Sequence, residues 1–297
     1  MILLNEKEYA EKCLREKVVI GKPFFTLGIL AKYYYSEGYR KKKIVELLTD
    51  FIDKSYYGYS TDKSEWDKTI EKIAKNAGKY PLHEIEGVWI TQSEIDRVKS
   101  LNNQSLEQVL FTILCIAKLN HIKNPNNTGW VNVGVKEIFE IARVSCSALK
   151  RNEVIGALYD LKLLELPKDN SKVSMRITFL DDVGDKVIFI SDFRELGYEW
   201  LNYCGGKFIR CQECGILTRY TRNRRYCKNC SSQEPQETRS VICVDCGKRF
   251  TVGLFNSQSC RCHECYDIYR KKYKAQKELE RRERVKVAKS VDKPYEE

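Results

Sequence analysis

Eight of the thirteen cysteines in this chain fall into two matched sets, and their spacing constrains the fold more than any other feature. The first set is Cys211-x2-Cys214-x12-Cys227-x2-Cys230, and the second is Cys243-x2-Cys246-x15-Cys262-x2-Cys265. A C-x-x-C knuckle brings two thiolates to one side of a tight turn, and two knuckles complete a tetrahedral four-sulfur site for Zn²⁺. Gly215 and Gly247 directly follow the second cysteine of the leading knuckle in each set. The chain must reverse there, and glycine takes the positive φ of such a turn at least cost. In the run CRCHEC, Cys260 competes with Cys262 and His263 is a further donor, but knuckle spacing selects Cys262. Two structural zinc ribbons are expected.

Two other cysteine chemistries fit the pattern poorly. A zinc held by four thiolates has no open position for substrate, so catalytic zinc is not expected. A redox C-x-x-C stands alone in a βαβ context, whereas these pairs come in doubles without one. The remaining Cys13, Cys115, Cys146 and Cys204 read as structural, Cys204 lying nearest in sequence to the first set. Disulfides are disfavoured by the odd count and by the expected compartment. The opening MILLNEKEYA has no basic and apolar leader pattern. The most apolar run, VLFTILCIA (109–117), is well short of the roughly 18 residues of a membrane span. A cytoplasmic protein with no membrane partner is therefore expected.

The charge is unevenly placed. The chain carries 52 Lys or Arg against 41 Asp or Glu. From residue 205 onward there are 22 against 12, so nearly all of the excess accompanies the cysteine sets. Segregation of this kind points to a polyanionic partner, most often nucleic acid. Phosphate-loop, nucleophile-elbow and zinc-protease motifs are all missing from the sequence, and its three histidines are scattered. Asp181-Asp182 reads as a solvated turn. No enzyme is expected.

Hydrophobic periodicity predicts a mostly α fold with small β elements. Residues 1–100 read as a helical N-terminal domain. PFFTLGILAKYYY (23–35) and KKKIVELLTDFI (41–52) form a helical hairpin, and SEWDKTIEKIAKNAG (64–78) a further helix with Ser64 at its cap. The tyrosines of this region are expected in the core or half-buried. Thr91 and Glu94 match a capping box at the start of 90–101. Residues 101–204 then read as a winged helix-turn-helix. SLEQVLFTILCIAKLN (105–120) is a buried central helix, followed by WVNV, VKEIFEIA, RNEVIGALYDLKLL and a hairpin over 164–179. Val173, Met175, Ile177 and Phe179 alternate with Ser174, Arg176 and Thr178 along its second strand. Such a module places its second helix in a DNA groove and its hairpin on the backbone. Lys150, Arg151 and Arg176 are the candidate contacts there, although Glu153, Asp160 and Glu165 offset them, so a protein contact is equally open.

The ribbons span 205–232 and 240–267. Between the first knuckles lie Arg219, Tyr220, Arg222, Arg224 and Arg225, with Lys228 just beyond; Lys248 and Arg249 hold the equivalent place in the second. A rigid ribbon bearing guanidiniums suits phosphate, and interleaved tyrosines suit exposed bases. The competing reading is compensation of thiolate charge, because zinc with four thiolates carries a formal charge of about −2. A basic helical tail over 268–297 follows, with Arg270, Lys271 and Lys272 as candidate phosphate contacts.

The phrases YCKNC, CVDCGKRF and CRCHECYDIYRKKYK, followed by a basic tail, together with the winged-helix order before them, resemble zinc-finger DNA-associated proteins encoded by phages and prophages of Firmicutes. The resemblance spans about 105–275. It implies replication or regulation of a mobile element, with DNA ahead of RNA as the partner. The alternative is an adaptor or inhibitor that meets a host nucleoprotein enzyme through the basic ribbons.

Overall fold

The computed structural model describes residues 2–167, 174–222, 224–231, 238–253 and 260–291. Contacts divide the chain into two units, Met1–Cys227 and Lys228–Glu297. The fold is mostly helical with four small sheets among the described residues.

The first unit has two hydrophobic cores. The N-terminal one is built by α1 (Glu6–Glu16), α2 (Pro23–Ser36), α3 (Lys41–Ser55), the short α4 (Gly58–Thr61) and α5 (Lys63–Asn76). Pro23 occupies the first turn of α2, where its missing N–H costs nothing. Leu27, Leu30, Ile44, Leu48, Ile52 and Ile70 interlock in this core. Of the tyrosines, Tyr34 and Tyr59 are buried, whereas Tyr35 and Tyr57 are exposed. Asp62, not Ser64, stands at the α5 N-cap, and neither side chain caps it.

The second core begins inside the segment read as N-terminal. Strand β1 (Val88–Thr91) pairs antiparallel with β5 (Lys186–Ile190), about 100 residues later in the chain, with Val88 opposite Ile190 and Trp89 opposite Phe189. Between them come α6 (Gln92–Lys99), α7 (Gln104–Lys123), β2 (Trp130–Val131), α8 (Val135–Ile141), α9 (Ala148–Asp160), β3 (Leu164–Glu165) and β4 (Met175–Ile177). Helix α7 is apolar on nearly every face because neighbours surround it, and the Asn103 carboxamide oxygen caps its start by accepting from the Ser105 and Leu106 N–H groups. β4 is the centre of a three-stranded antiparallel sheet in the order β2-β4-β3. Met175 and Ile177 are buried on one face of β4, as the alternation predicts, while Val173 lies outside the described residues.

Helix α10 (Leu196–Tyr203) closes this core. Trp200 packs against Phe111 at 5.0 Å between ring centroids. Gly197 is required by the closeness of the packing: a Cβ there would lie 1.8 Å from the Ala142 carbonyl oxygen. The unit ends in the hairpin of β6 (Phe208–Arg210) and β7 (Leu217–Arg219).

The second unit holds α11 (Lys228–Ser231), the hairpin of β8 (Thr238–Ile242) and β9 (Arg249–Gly253), and α12 (His263–Val291). Its only buried residues, among those described, are Cys243 and Cys262. No described helix is long and apolar enough to cross a membrane.

Candidate metal centres and the cationic surface around them

Two groups of four cysteines have all their Sγ atoms within 4.8 Å of one another: Cys211, Cys214, Cys227 and Cys230, and Cys243, Cys246, Cys262 and Cys265. Each group is assembled by the same local device. In the first, Cys211 N–H donates to the Ile216 carbonyl and Gly215 N–H donates to the Cys211 carbonyl, both at 2.9 Å. In the second, Cys243 N–H donates to Lys248 and Gly247 N–H to Cys243, again at 2.9 Å. Gly215 and Gly247 take φ of 70° and 69°, the left-handed turn that glycine accepts most readily. The β6–β7 and β8–β9 hairpins fix the entering and leaving strands of these knuckles.

The donor sets fit a tetrahedral metal. A metal–sulfur bond of about 2.3 Å implies sulfur separations of about 3.8 Å in a regular tetrahedron. The Cys214 and Cys227 sulfurs are 3.7 Å apart, and those of Cys246 and Cys262 are 3.6 Å apart. The acidities agree with this. Burial pushes the Cys211 thiol up, but the N–H groups of Cys214, Cys227 and Glu213 outweigh it and bring it down to about 6. Cys243 behaves alike, brought down to about 6 by the N–H groups of Cys262, Cys246 and Asp245 against the effect of burial. Cys265 moves the other way because Cys262 and Cys246 crowd its sulfur and burial adds to them. Thiolates this close repel, and a cation is what lets all four ionise together.

The ambiguity in CRCHEC is resolved. Cys262 is buried, and its own N–H donates to the Cys243 sulfur at 3.3 Å. Cys260 is exposed and contributes its carbonyl, which accepts from Val244 N–H. The His263 ring points to Asp267 with a 91% exposed side chain. Cys260→Ser is therefore expected to keep two metal ions per chain and Cys262→Ser to lose one, as read by elemental analysis of the purified proteins. Cys13 and Cys115 are buried, Cys146 half-buried and Cys204 exposed, and none joins either cluster.

The candidate cations are placed unequally. Around the first cluster, Arg222, Arg225 and Lys228 have no ion-pair partner among the described residues, whereas Arg224 donates to Thr218 Oγ1 at 3.3 Å. The Arg219 guanidinium lies 5.6 Å from the centre of the Tyr198 ring. Arg219 and Tyr220 also line an open cleft of about 610 Å³ together with Lys207 and Phe208. In the second unit, Lys248 faces Glu264 at 3.5 Å and is held above the ordinary lysine range. Glu264 is the main cause, and the Cys246 and Cys262 sulfurs add to it, so for this residue charge compensation is visible. Arg249 and, on α12, Arg270, Lys271 and Lys272 are exposed without an ion-pair partner among the described residues.

The three candidates in the middle segment are more engaged. Lys150 pairs with Glu153 at 2.9 Å. Arg151 reaches the Cys146 carbonyl at 3.5 Å. Arg176 donates to the Thr128 carbonyl at 2.8 Å and to Glu165 at 3.0 Å, which ties it across its own sheet. Two arginines that support the clusters were not singled out from the sequence. Arg194 donates to the Cys214 carbonyl at 2.8 Å while paired with Asp192. Arg261 pairs with Asp245 at 2.7 Å and covers the Tyr269 ring at 4.3 Å. Arg261 had a signal in its position between Cys260 and Cys262; Arg194 had none.

No family model matches the chain, and neither the curated proteins nor the solved structures yield a match.

Proposed function

We propose that this is a non-enzymatic nucleic-acid-binding protein, with DNA ahead of RNA, whose two four-cysteine sites hold structural Zn²⁺. The observation that carries the reading is the basic excess after residue 205, 22 cations against 12 acids, gathered where metal knuckles frame the chain. Zinc, when bound, supplies the cross-link. The rest belongs to the chain's own residues: Arg222, Arg225 and Lys228 beside the first site, and Arg249 and Arg270–Lys272 in the second unit, offer charge to phosphate oxygens. Arginine can do so through two parallel N–H groups. The exposed Tyr220 ring, beside Arg219, offers a stacking face for an unpaired base. Helices α7, α8 and α9 with the β2-β4-β3 sheet are read as a winged helix. Replication or regulation of a phage or other mobile element is the setting that the sequence resemblance suggests.

Charge reversal tests this reading. The variant R222E/R224E/R225E is expected to bind a labelled duplex at least tenfold more weakly at moderate salt. The slope of log affinity against log salt should also flatten by about three, close to one per lost phosphate contact. Absence of any shift with DNA or RNA at low salt would sink the proposal.

A second reading draws on α9 and the segment after it. Leu149, Tyr159, Leu161 and Leu166 are all exposed there, and Lys150 is paired with an acid. An apolar surface with little free positive charge suits a protein partner better than a phosphate backbone. On this reading the protein is an adaptor or inhibitor that contacts a host nucleoprotein enzyme. Capture of one defined protein that survives nuclease and high salt, and is lost in Leu149→Asp, would favour it.

A further inference from the structure

The N-terminal helices carry a cationic feature that neither reading uses. An open cavity of about 520 Å³ lies between the start of α3 and the end of α5, and Arg40, Lys41, Lys75 and Lys79 line it. No carboxylate lines it. Elsewhere on these helices cations do find acids: Lys32 pairs with Glu6, Lys43 with Glu46, Lys54 with Asp50 and Lys68 with Glu65. Arg40, Lys41 and Lys75 have no ion-pair partner among the described residues, and Lys79 stands 5.6 Å from the Tyr80 ring centre.

Folding alone does not account for this arrangement. Lys75 and Lys79 follow the last turns of α5, where the helix dipole favours cations. Arg40 and Lys41 do the reverse, standing with Lys42 and Lys43 at the positive end of α3, whose first turn has no acid. Each such charge is unfavourable by about 0.3–1 kcal/mol. Pointing both groups into one cavity adds mutual repulsion. The wall between them is Tyr35, 47% exposed, whose ring lies across Gly78. A Cβ on Gly78 would sit 2.4 Å from the ring, so the glycine is what lets the tyrosine lie there.

We infer that this cavity binds a phosphoryl group, with Arg40, Lys41, Lys75 and Lys79 supplying the charge. Two sources share that chemistry, a nucleic-acid strand and a free nucleotide. The inference does not rest on the ribbons, since a different part of the chain carries it.

The test uses the full-length, zinc-loaded chain and inorganic pyrophosphate, followed by titration calorimetry. Wild type should bind, K41Q/K75Q should bind at least tenfold more weakly, and the ribbon variant R222Q/R225Q should stay within about twofold of wild type. All of these side chains are exposed, and R40Q/K79Q provides a second pair should the first unfold. Competition with a single-stranded oligonucleotide and with ADP then separates the sources. Loss in the oligonucleotide arm alone assigns a strand, and loss in the ADP arm assigns a nucleotide. The inference is overturned if wild type takes up no pyrophosphate, if both pocket pairs titrate like wild type, or if neither competitor arm changes.

Discussion

Removing the metal from the intact chain with a chelator should abolish the β8–β9 hairpin while leaving the cores of the first unit folded. The second unit has no hydrophobic core to fall back on: among its described residues only the ligands Cys243 and Cys262 are buried. Apparent binding energies of structural zinc, about 10–16 kcal/mol in finger peptides, far exceed what such a short hairpin supplies by itself. All four tryptophans lie before residue 205, and Trp200 is fully buried against α7. Chelation should therefore release two ions per chain, erase hairpin amide protection over 238–253 and leave tryptophan emission nearly unchanged. Retained protection in that hairpin after complete metal loss would contradict the account.

The second large effect concerns a charge pair inside the first unit. Glu94 is fully buried, and its carboxylate accepts from Lys118 Nζ at 2.9 Å to both oxygens. It also accepts from Thr91 N–H at 2.8 Å and from Asp181 N–H at 2.9 Å. Lys118 in turn donates to the Asp181 carbonyl at 2.7 Å. One carboxylate thereby joins α6, α7 and the turn that leads into β5. Lys118→Met leaves the carboxylate buried without its cation and is expected to cost about 3–5 kcal/mol. The double variant Glu94→Leu/Lys118→Met should recover much of that loss, because a matched apolar pair carries no desolvation cost. Chemical denaturation of the three proteins gives the comparison, and a single variant as stable as wild type would refute the role.

The neighbouring turn adds an acid-side dependence. Asp181 accepts from Ser93 Oγ at 2.5 Å and from the Gly184 and Val183 N–H groups, in that order of effect, which brings it down to about 2. A depressed carboxylate stabilises the fold fully above its unfolded value near 4 and loses that contribution as pH falls towards 2. Ser93→Ala should narrow this window, seen as a smaller fall in stability between pH 4 and pH 2.

These features also mark how far the sequence could be read. The knuckles, their glycines and the preference for Cys262 were legible because ligand spacing is a local property. So was the capping box, since Thr91 N–H does meet Glu94 three residues on. What the pattern could not carry was the second life of Glu94 as a buried ion. A capping glutamate is ordinarily solvated, and its partner Lys118 sits inside a helix whose neighbours all read as apolar. The β1–β5 pairing was equally silent: each strand is short, and about 100 residues separate them. Among the candidate cations, residue type says nothing of local partners. Arg222 and Arg225 have none among the described residues, while Arg176 is spent on Thr128 and Glu165. The Asp181 turn looked merely solvated because its hydrogen bonds come from Ser93, 88 residues earlier.

The central claim is that metal-framed ribbons, and not loose positive charge, grip nucleic acid. The most direct test is the affinity of the intact chain for a short duplex across a salt series, with metal, after chelation and after zinc is restored. Chelation leaves every lysine and arginine in place and removes only the frame. The account predicts steep salt dependence, at least a tenfold loss of affinity without metal and recovery on adding zinc back. Affinity and salt slope unchanged by chelation, or no binding at low salt with metal present, would contradict it.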